Sequence, residues 1–509
     1  MRELVASWAT RVERAGAGTV AVVDDDGEHP AAQILRRARE LAPLLRDGRT
    51  GEPRTVLLQA DNSWRTVAVA VAAGLSGAVL ALVNRHSTAV ELAHAMDDVR
   101  PDAVIADPDT WQDWGLSGLL GGLRTRTVLD GWVAALTATT SGPDRWGGGC
   151  LIAMTSGSTG RPKGVVQTGR ALAYAGRCTI DANHLRPGDP IAAIVPLSST
   201  ASFCFGVALA LQLGGPLVTL RRWNPDDALA LIDRTGARWL MCVPTMALQL
   251  GRSAAGRGAP RALASMTVGG GPMDPQALAR AEEALGTRIL RVFGMSECLG
   301  HTTSDPAQPQ RVRLSCDGTP FPGTQLRGVD PAGRPVPTGV PGRAQVRGPS
   351  LFLGYARRGA VDPALLTPDG YFPTGDLVVS QPDGSVTITG REKDVIIRGG
   401  RNIDIVEVES AVAGHPAVSQ VCVVPLPDPE LGERIGVLLV TEAGDHVDLA
   451  GLQEFLAAAG LAKAKWPEAV FEVAELPKTL VGKISRVEAR ALAGRLHAGR
   501  VAQAAGEQA

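Results

Sequence analysis

Along the first 150 residues, stretches with helical apolar periodicity alternate with short apolar runs. Residues 31–46, 63–73 and 89–99 read as helices, and 55–59, 79–83 and 103–106 as buried strands. This alternation predicts βαβ units and a largely parallel sheet. A loop rich in Thr, Ser and Gly over 137–149 leads to a strand at 150–154, and the alternation resumes from 171 to 290. Strands are expected at 191–196, 217–220, 239–243 and 265–268, with helices between them. From 311 to 390 the texture changes to short strands (344–347, 377–380, 385–389) punctuated by Gly and Pro, which predicts a small barrel or β-subdomain. The charged cluster Arg391-Glu392-Lys393-Asp394 follows, and then a compact segment of roughly a hundred residues with its own α and β pattern, near the common size of a small domain. The expected fold is α/β: a large N-terminal domain over 1–391, with parallel-type sheets and a β-barrel-like subdomain, and a small α+β domain over 392–509.

Composition narrows the class. A chain of 509 residues is too long for one core. Its 45% hydrophobic and 20% charged content is that of an ordinary soluble protein, and a net charge of −1 argues against nucleic acid or an anionic membrane as partner. The apolar run from Val67 to Val83 reaches the minimum length of a membrane span, but Gly74 and Gly77 interrupt it, so a buried helix running into a buried strand is expected. Residues 1–18 mix charged and apolar positions and lack the apolar centre of a signal peptide. The seven cysteines are odd in number, scattered and without a CxxC pair, as in a reduced cytoplasmic protein without a zinc site. Lysine occurs only at 163, 393, 463, 465, 478 and 483. In a chain otherwise using arginine, these mark places where a compact ammonium serves better than a planar fork.

The densest chemistry lies in Thr155–Gly164 (TSGSTGRPKG), with four hydroxyls, three glycines and a lysine leaving a strand end. Glycines let backbone N–H groups converge on an anion, hydroxyls add donors and the lysine adds charge, so a polyphosphate suits the loop. It is not the common P-loop, because Pro162 precedes Lys163 and Gly164 follows it. Gly269–Pro272 and Phe293–Glu297 end two further strands, where ligands bind in open α/β sheets.

Together with Gly342–Tyr355 (GRAQVRGPSLFLGY), Tyr371–Asp376 (YFPTGD), Gly390–Asn402 (GREKDVIIRGGRN) and Pro477–Arg486 (PKTLVGKISR), these stretches stand in the order of the adenylate-forming superfamily. The chain resembles its acyl-CoA synthetases and aryl-acid–AMP ligases over 155–486, while the N-terminal third agrees in texture only. The resemblance implies that Thr155, Ser156, Gly157, Ser158, Thr159, Gly160 and Lys163 hold the β- and γ-phosphates of ATP. It implies that Glu297 holds Mg²⁺, a cation that prefers oxygen ligands, and that Ser296 touches the α-phosphate. Phe293 and Gly294 would meet adenine, with Gly270, Gly271 and Pro272 opposite. Asp376 would accept bonds from the ribose hydroxyls with Arg391 assisting. Lys483 would reach the scissile phosphate and the attacking carboxylate. Lys393 matches a hinge that makes the small domain mobile, and Gly399 and Gly400 resemble the lining of a thiol path. Standing alone, Glu297 is an ordinary surface carboxylate, Asp376 a turn aspartate and Lys483 an exposed lysine; only their company changes the reading.

The implied activity joins a carboxylic acid to AMP with release of pyrophosphate, then passes the acyl group to the thiol of CoA or of a phosphopantetheinyl carrier protein. The alternatives are transfer to an amine or other small nucleophile, and a nucleotide-binding homologue without ligase activity. Segments 194–205, 243–245, 268–271 and 298–302 should line the acid pocket, with Ser199, Phe203, Gly269, Cys298 and His301 as candidates. Pro196-Leu197-Ser198-Ser199 resembles the aryl-acid ligases, yet Ile194 stands where those place an Asn for an ortho-hydroxyl. No Asp lies over 194–203 to pair an α-ammonium, so the expected acid is aromatic, cyclic or otherwise apolar.

Overall fold

The alternation of helices and apolar runs folds into two nine-stranded sheets. The computed structural model describes residues 1–15, 18–120, 123–136, 141–155, 162–271, 273–392, 394–398, 401–428, 430–441, 445–479 and 482–506, apart from the side chains of 402 and 501–506. In the first sheet the strands lie in the order Thr319–Pro320, Cys298–Thr303, Arg288–Met295, Ser265–Gly269, Trp239–Cys242, Ile191–Ala193, Leu217–Val218, Val20–Asp24 and Gly27–Pro30. The six from Arg288–Met295 to Val20–Asp24 are parallel and the edges antiparallel. The second sheet is ordered Ala360–Pro363, Gly354–Arg357, Lys163–Thr168, Gly149–Thr155, Val79–Asn84, Thr55–Ala60, Ala103–Ala106, Trp132–Leu136 and Arg124–Val128, with a parallel centre from Gly149–Thr155 to Ala103–Ala106.

The run of membrane-spanning length is a helix, Trp64–Ser76, followed by the strand Val79–Asn84. Ser63 caps the helix by accepting from the Arg65 N–H, and Gly77 ends it at φ +78°, a conformation that suits glycine. Eleven of its thirteen residues are buried, which is why the segment is apolar all round. Among the described residues no helix is long and apolar enough to cross a membrane.

Several elements are shorter than their sequence pattern, among them the strand at Leu217–Val218, and for two the physical cause is plain. The helix from Ala31 stops at Leu41 and tightens into a 3₁₀ turn over Ala42–Leu45, where Pro43 has no N–H to continue the ladder. The strand expected over 191–196 covers Ile191–Ala193 only, because side chains take the backbone groups beyond it. Asn62 accepts from the Leu197 N–H at 2.8 Å, and the Ser202 hydroxyl donates to the Val195 carbonyl at 2.7 Å.

The β-barrel-like subdomain requires correction. Within 325–391, the strands Gln325–Val329, Gly342–Arg347, Phe372–Ser380 and Val386–Arg391 form an open four-stranded sheet with no closure, while Gly354–Arg357 and Ala360–Pro363 join the second nine-stranded sheet. Four short strands are too few to wrap round a filled interior.

The chain divides into two compact units: residues 1–270, 278–326 and 346–372, and residues 271–277, 327–345 and 373–509. The second unit holds most of the four-stranded sheet and a five-stranded one built on the long hairpin Val418–Asp428 and Gly432–Thr441. That hairpin has a core on each face, Val423, Val437 and Leu439 in one and Cys422, Leu438 and Phe471 in the other. Two-sided burial explains its near-continuous apolar sequence.

Candidate active site

Thr155 and Lys163 are paired across the two strands that the expected phosphate loop connects, and the Thr155 hydroxyl donates to the Lys163 carbonyl at 3.2 Å. The strands Gly149–Thr155 and Lys163–Thr168 are therefore antiparallel neighbours inside the second nine-stranded sheet. Gly164 is needed there: a Cβ would meet Ile152 at 2.9 Å and Ala356 at 3.0 Å. The Lys163 side chain is exposed, and its ammonium lies 5.1 Å from the centre of the Tyr355 ring. Ser156, Gly157, Ser158, Thr159 and Gly160, together with Pro272, Lys393, Gly399 and Gly400, lie outside the described residues.

Ser296 and Glu297 form the turn between Arg288–Met295 and the antiparallel Cys298–Thr303. Four bonds hold this turn. The Gln167 amide donates to the Ser296 carbonyl at 2.8 Å, and the Phe352 N–H donates to the Glu297 carbonyl at 2.8 Å. The Thr200 hydroxyl donates to the Ser296 hydroxyl at 3.0 Å, and the Tyr355 hydroxyl donates to Glu297 Oε1 at 2.8 Å. Burial and the Glu297 carboxylate both raise the Tyr355 pKa, keeping the phenol protonated as a donor. Tyr355 and Gln167 were not singled out from sequence, although Tyr355 ends a motif and Gln167 is a polar residue inside an apolar strand.

The Phe293 ring is half-buried and sits 4.7 Å from the imidazole of His301. His301 has no exposed surface, and neither ring nitrogen has a hydrogen-bond partner of normal geometry. Burial pushes its pKa down to about 3, with weak opposition from the Cys298 carbonyl, so the ring is neutral at ordinary pH. Among the other acid-pocket candidates, Ser199 caps the turn Thr200–Ser202, while Phe203 and Cys298 are fully buried. Gly269 lies so close to Val292 that a Cβ would meet its carbonyl oxygen at 2.5 Å. Gly270 takes φ +87° and, like Gly271, is exposed, whereas Gly294 is half-buried against Gly300. None of the five pocket candidates walls the nearby cavity of about 20 Å³; Phe205, Trp239, Met241, Val292, Gly300 and Phe321 do.

The second unit carries the other candidates. Asp376 and Arg391 are paired across the antiparallel strands Phe372–Ser380 and Val386–Arg391. The aspartate is 3% exposed; its Oδ1 accepts from Arg391 Nε at 3.0 Å and its Oδ2 has no hydrogen-bond partner among the described residues. Burial raises the Asp376 pKa, chiefly against the pull of Arg391. Lys483 lies in a tight turn: the Thr479 N–H donates to the Lys483 carbonyl at 2.6 Å, and Gly482 takes φ +80°. The residue keeps an exposed face, yet withdrawal of its ammonium from water, followed by Arg391, lowers its pKa while Asp376 raises it. Arg486, three residues on, anchors this turn through two bonds to Glu409, at 2.8 and 2.7 Å, and a 3.3 Å pair with Asp394.

Among the described residues no cluster of three His, Cys, Asp or Glu could cage a metal. Mg²⁺ commonly binds through one or two carboxylates plus substrate phosphates. The half-buried Glu297, with one oxygen engaged by Tyr355, fits that arrangement.

The chain is similar to known proteins over most of its length. The AMP-binding enzyme family model matches residues 8–356, and the model for the C-terminal domain of AMP-binding enzymes matches residues 407–483. Triostin synthetase I of Streptomyces triostinicus is 37% identical over 67% of this chain, which spans 65% of that protein's length. A salicylyl-CoA synthase / salicylate adenylyltransferase of a Streptomyces species is 32% identical over 93% of this chain and 90% of its own. The solved structure of the amide bond synthetase McbA from Marinactinospora thermotolerans superimposes with a TM-score of 0.81 at 26% identity, covering 96% of this chain and 99% of that one.

Proposed function

This chain belongs to the AMP-binding enzyme family, and from that premise we propose that it condenses ATP with a carboxylic acid to give an acyl-adenylate and pyrophosphate, then transfers the acyl group to a thiol. The observation that carries the reading is the convergence of Lys163 and Glu297 on Tyr355, because it brings a cation for phosphate and a carboxylate for a metal ion to one place.

The reacting partners are both anions, so the work is charge neutralisation and positioning. Thr155 and Lys163 hold the β- and γ-phosphates that leave as pyrophosphate, and the residues between them supply the remaining donors. Mg²⁺, when bound by Glu297 and phosphate oxygens, supplies positive charge that offsets the developing negative charge. Ser296, fixed through Gln167 and Thr200, presents its hydroxyl to the α-phosphate. Phe293 offers an aromatic face to adenine. Asp376 has a buried oxygen without a hydrogen-bond partner among the described residues, an unsatisfied acceptor suited to ribose hydroxyls, and Arg391 opposes the rise in its pKa that burial causes. Lys483 brings its ammonium to the carboxylate and phosphate as they join. Residues 392–509 act as a mobile domain hinged at Lys393, with Gly399 and Gly400 along the thiol path.

An apolar acid is favoured by the cavity that shares Phe205 and Gly300 with the segments expected to line the acid pocket, because no ionisable side chain walls it. The name of the salicylate-using relative supports an aryl acid and CoA, whereas McbA supports an amine as the alternative acceptor.

ATP–pyrophosphate exchange across a panel of acids tests the first step. CoA, carrier protein and amines, added in turn, then identify the acceptor. Exchange with an aryl acid and a thioester product are expected. No exchange with any acid would sink the reading, and an amide without a thioester would replace the thiol by an amine.

A further inference from the structure

Lys163 and Glu297 carry opposite charges and both touch Tyr355, yet among the described residues they form no ion pair with each other. The hydroxyl takes Glu297 at 2.8 Å, while the ring faces the Lys163 ammonium at 5.1 Å. The ring is fixed in place because its strand is registered on the hairpin, with Tyr355 opposite Val165 and Ala356 opposite Gly164. Phe352, on the same segment, donates its N–H to the Glu297 carbonyl and packs edge-on against Tyr355 at 5.0 Å. The carboxylate is therefore held at both backbone and side chain. A cation over an aromatic face is attracted without being neutralised. A direct ammonium–carboxylate pair would instead occupy both groups and would have to be broken before either met its ligand.

We propose that Tyr355 is a positioning residue that keeps the phosphate-binding lysine and the metal-binding glutamate apart and oriented, so that ATP and its cation meet two ready charges. The proposal rests on the reading of Lys163 and Glu297 as ligands of ATP and of the metal ion. It assigns the ring and the hydroxyl separate tasks. The hydroxyl orients Glu297, leaving its second oxygen for the cation, and the ring keeps Lys163 from collapsing onto Glu297.

The test uses the full chain, Mn²⁺ as the metal probe and a non-hydrolysable α,β-methylene analogue of ATP, with bound Mn²⁺ read by electron paramagnetic resonance. Tyr355→Phe should raise the Mn²⁺ concentration for half-saturation about fivefold, the effect of losing one modest hydrogen bond, and leave KM for the acid unchanged. Tyr355→Ala should raise it further and also weaken metal-free binding of the analogue, because Lys163 can then pair with Glu297. In a Glu297→Gln background the Tyr355→Phe effect should vanish, as coupling through that carboxylate requires. Equal Mn²⁺ binding by the wild type and Tyr355→Phe would overturn the proposal, as would a Tyr355→Phe effect that persists beside Glu297→Gln. Tyr355→Phe retains the ring and its packing, so the test stands even if Tyr355→Ala fails to fold. Unchanged Mn²⁺ binding with intact pyrophosphate exchange would reject only this inference, whereas absence of exchange in the wild type would reject the proposed function.

Discussion

At the residue scale, three side chains carry tests. Lys483→Ala should lower ATP–pyrophosphate exchange by a factor of about a hundred or more, the usual cost of removing one donor to the developing charge. Near-normal exchange by a folded variant would contradict its role. His301 gives a pH prediction. Its folded pKa of about 3 lies below the ordinary 6.5, so the unfolded chain binds the proton first as pH falls. The neutral imidazole costs nothing above 6.5; stability is lost progressively from 6.5 towards 3, at about 1.4 kcal/mol for each unit of the gap. His301→Gln should flatten that part of the stability–pH curve in denaturant titrations, and an unchanged slope would contradict the assignment. Asp376→Asn keeps the shape of the side chain and removes its charge, so KM for ATP should rise about tenfold or more, as when a charge-assisted hydrogen bond is lost. An unchanged KM would remove Asp376 from the ribose site. The proposed roles of Lys483 and Asp376 come from the sequence, because each stands in a motif of fixed spacing. Tyr355 also stands in a motif, but its partners are 58 residues upstream and on a neighbouring strand, so its task became visible only once strands were in register.

At the element scale, the strands around Gly164 and the Lys483 turn bear on the proposed site. Gly164 lets the strands Gly149–Thr155 and Gly354–Arg357 close on Lys163–Thr168, so Gly164→Val should destabilise the first unit by about 2–3 kcal/mol through overpacking. Thermal melts with and without ATP would measure this. The Lys483 turn depends on Arg486, whose loss would leave Glu409 buried, with 6% exposure, and short of its ion-pair partner. Arg486→Ala should therefore cost the second unit about 3 kcal/mol, with reduced exchange activity following from a loosened turn. Most element positions were legible from periodicity, because buried parallel strands and their covering helices leave apolar runs of distinct period. The strand 191–196 was not, because Asn62 and Ser202 claim its backbone groups from elsewhere in the chain. The barrel-like expectation failed for a related reason: short strands with Gly and Pro look alike whether or not the sheet closes.

At the scale of the whole molecule, the residues proposed for the reaction fall into two groups, one in each unit. The Lys163, Ser296 and Glu297 group belongs to one, and the Asp376, Arg391 and Lys483 group to the other. In the proposed cycle the adenylating step needs both groups, and the second step needs movement about Lys393. Lys393→Pro should spare pyrophosphate exchange and cripple acyl transfer to the acceptor, because the ring locks φ where a hinge must turn. Equal loss of both steps would contradict the hinge. The α/β class, the family and the order of the motifs proposed for phosphate, metal and ribose could be read from the chain alone, since these depend on local spacing and on residue types few other sites combine. Only segments meeting in three dimensions settled that the four-stranded sheet stays open, that Phe205, Met241 and Phe321 share one cavity, and that one tyrosine stands between Lys163 and Glu297. The physical reason is range. Periodicity and spacing record what a residue does to its neighbours in the chain, whereas a shared hydrogen bond or cavity wall depends on segments that meet only after the sheets have registered.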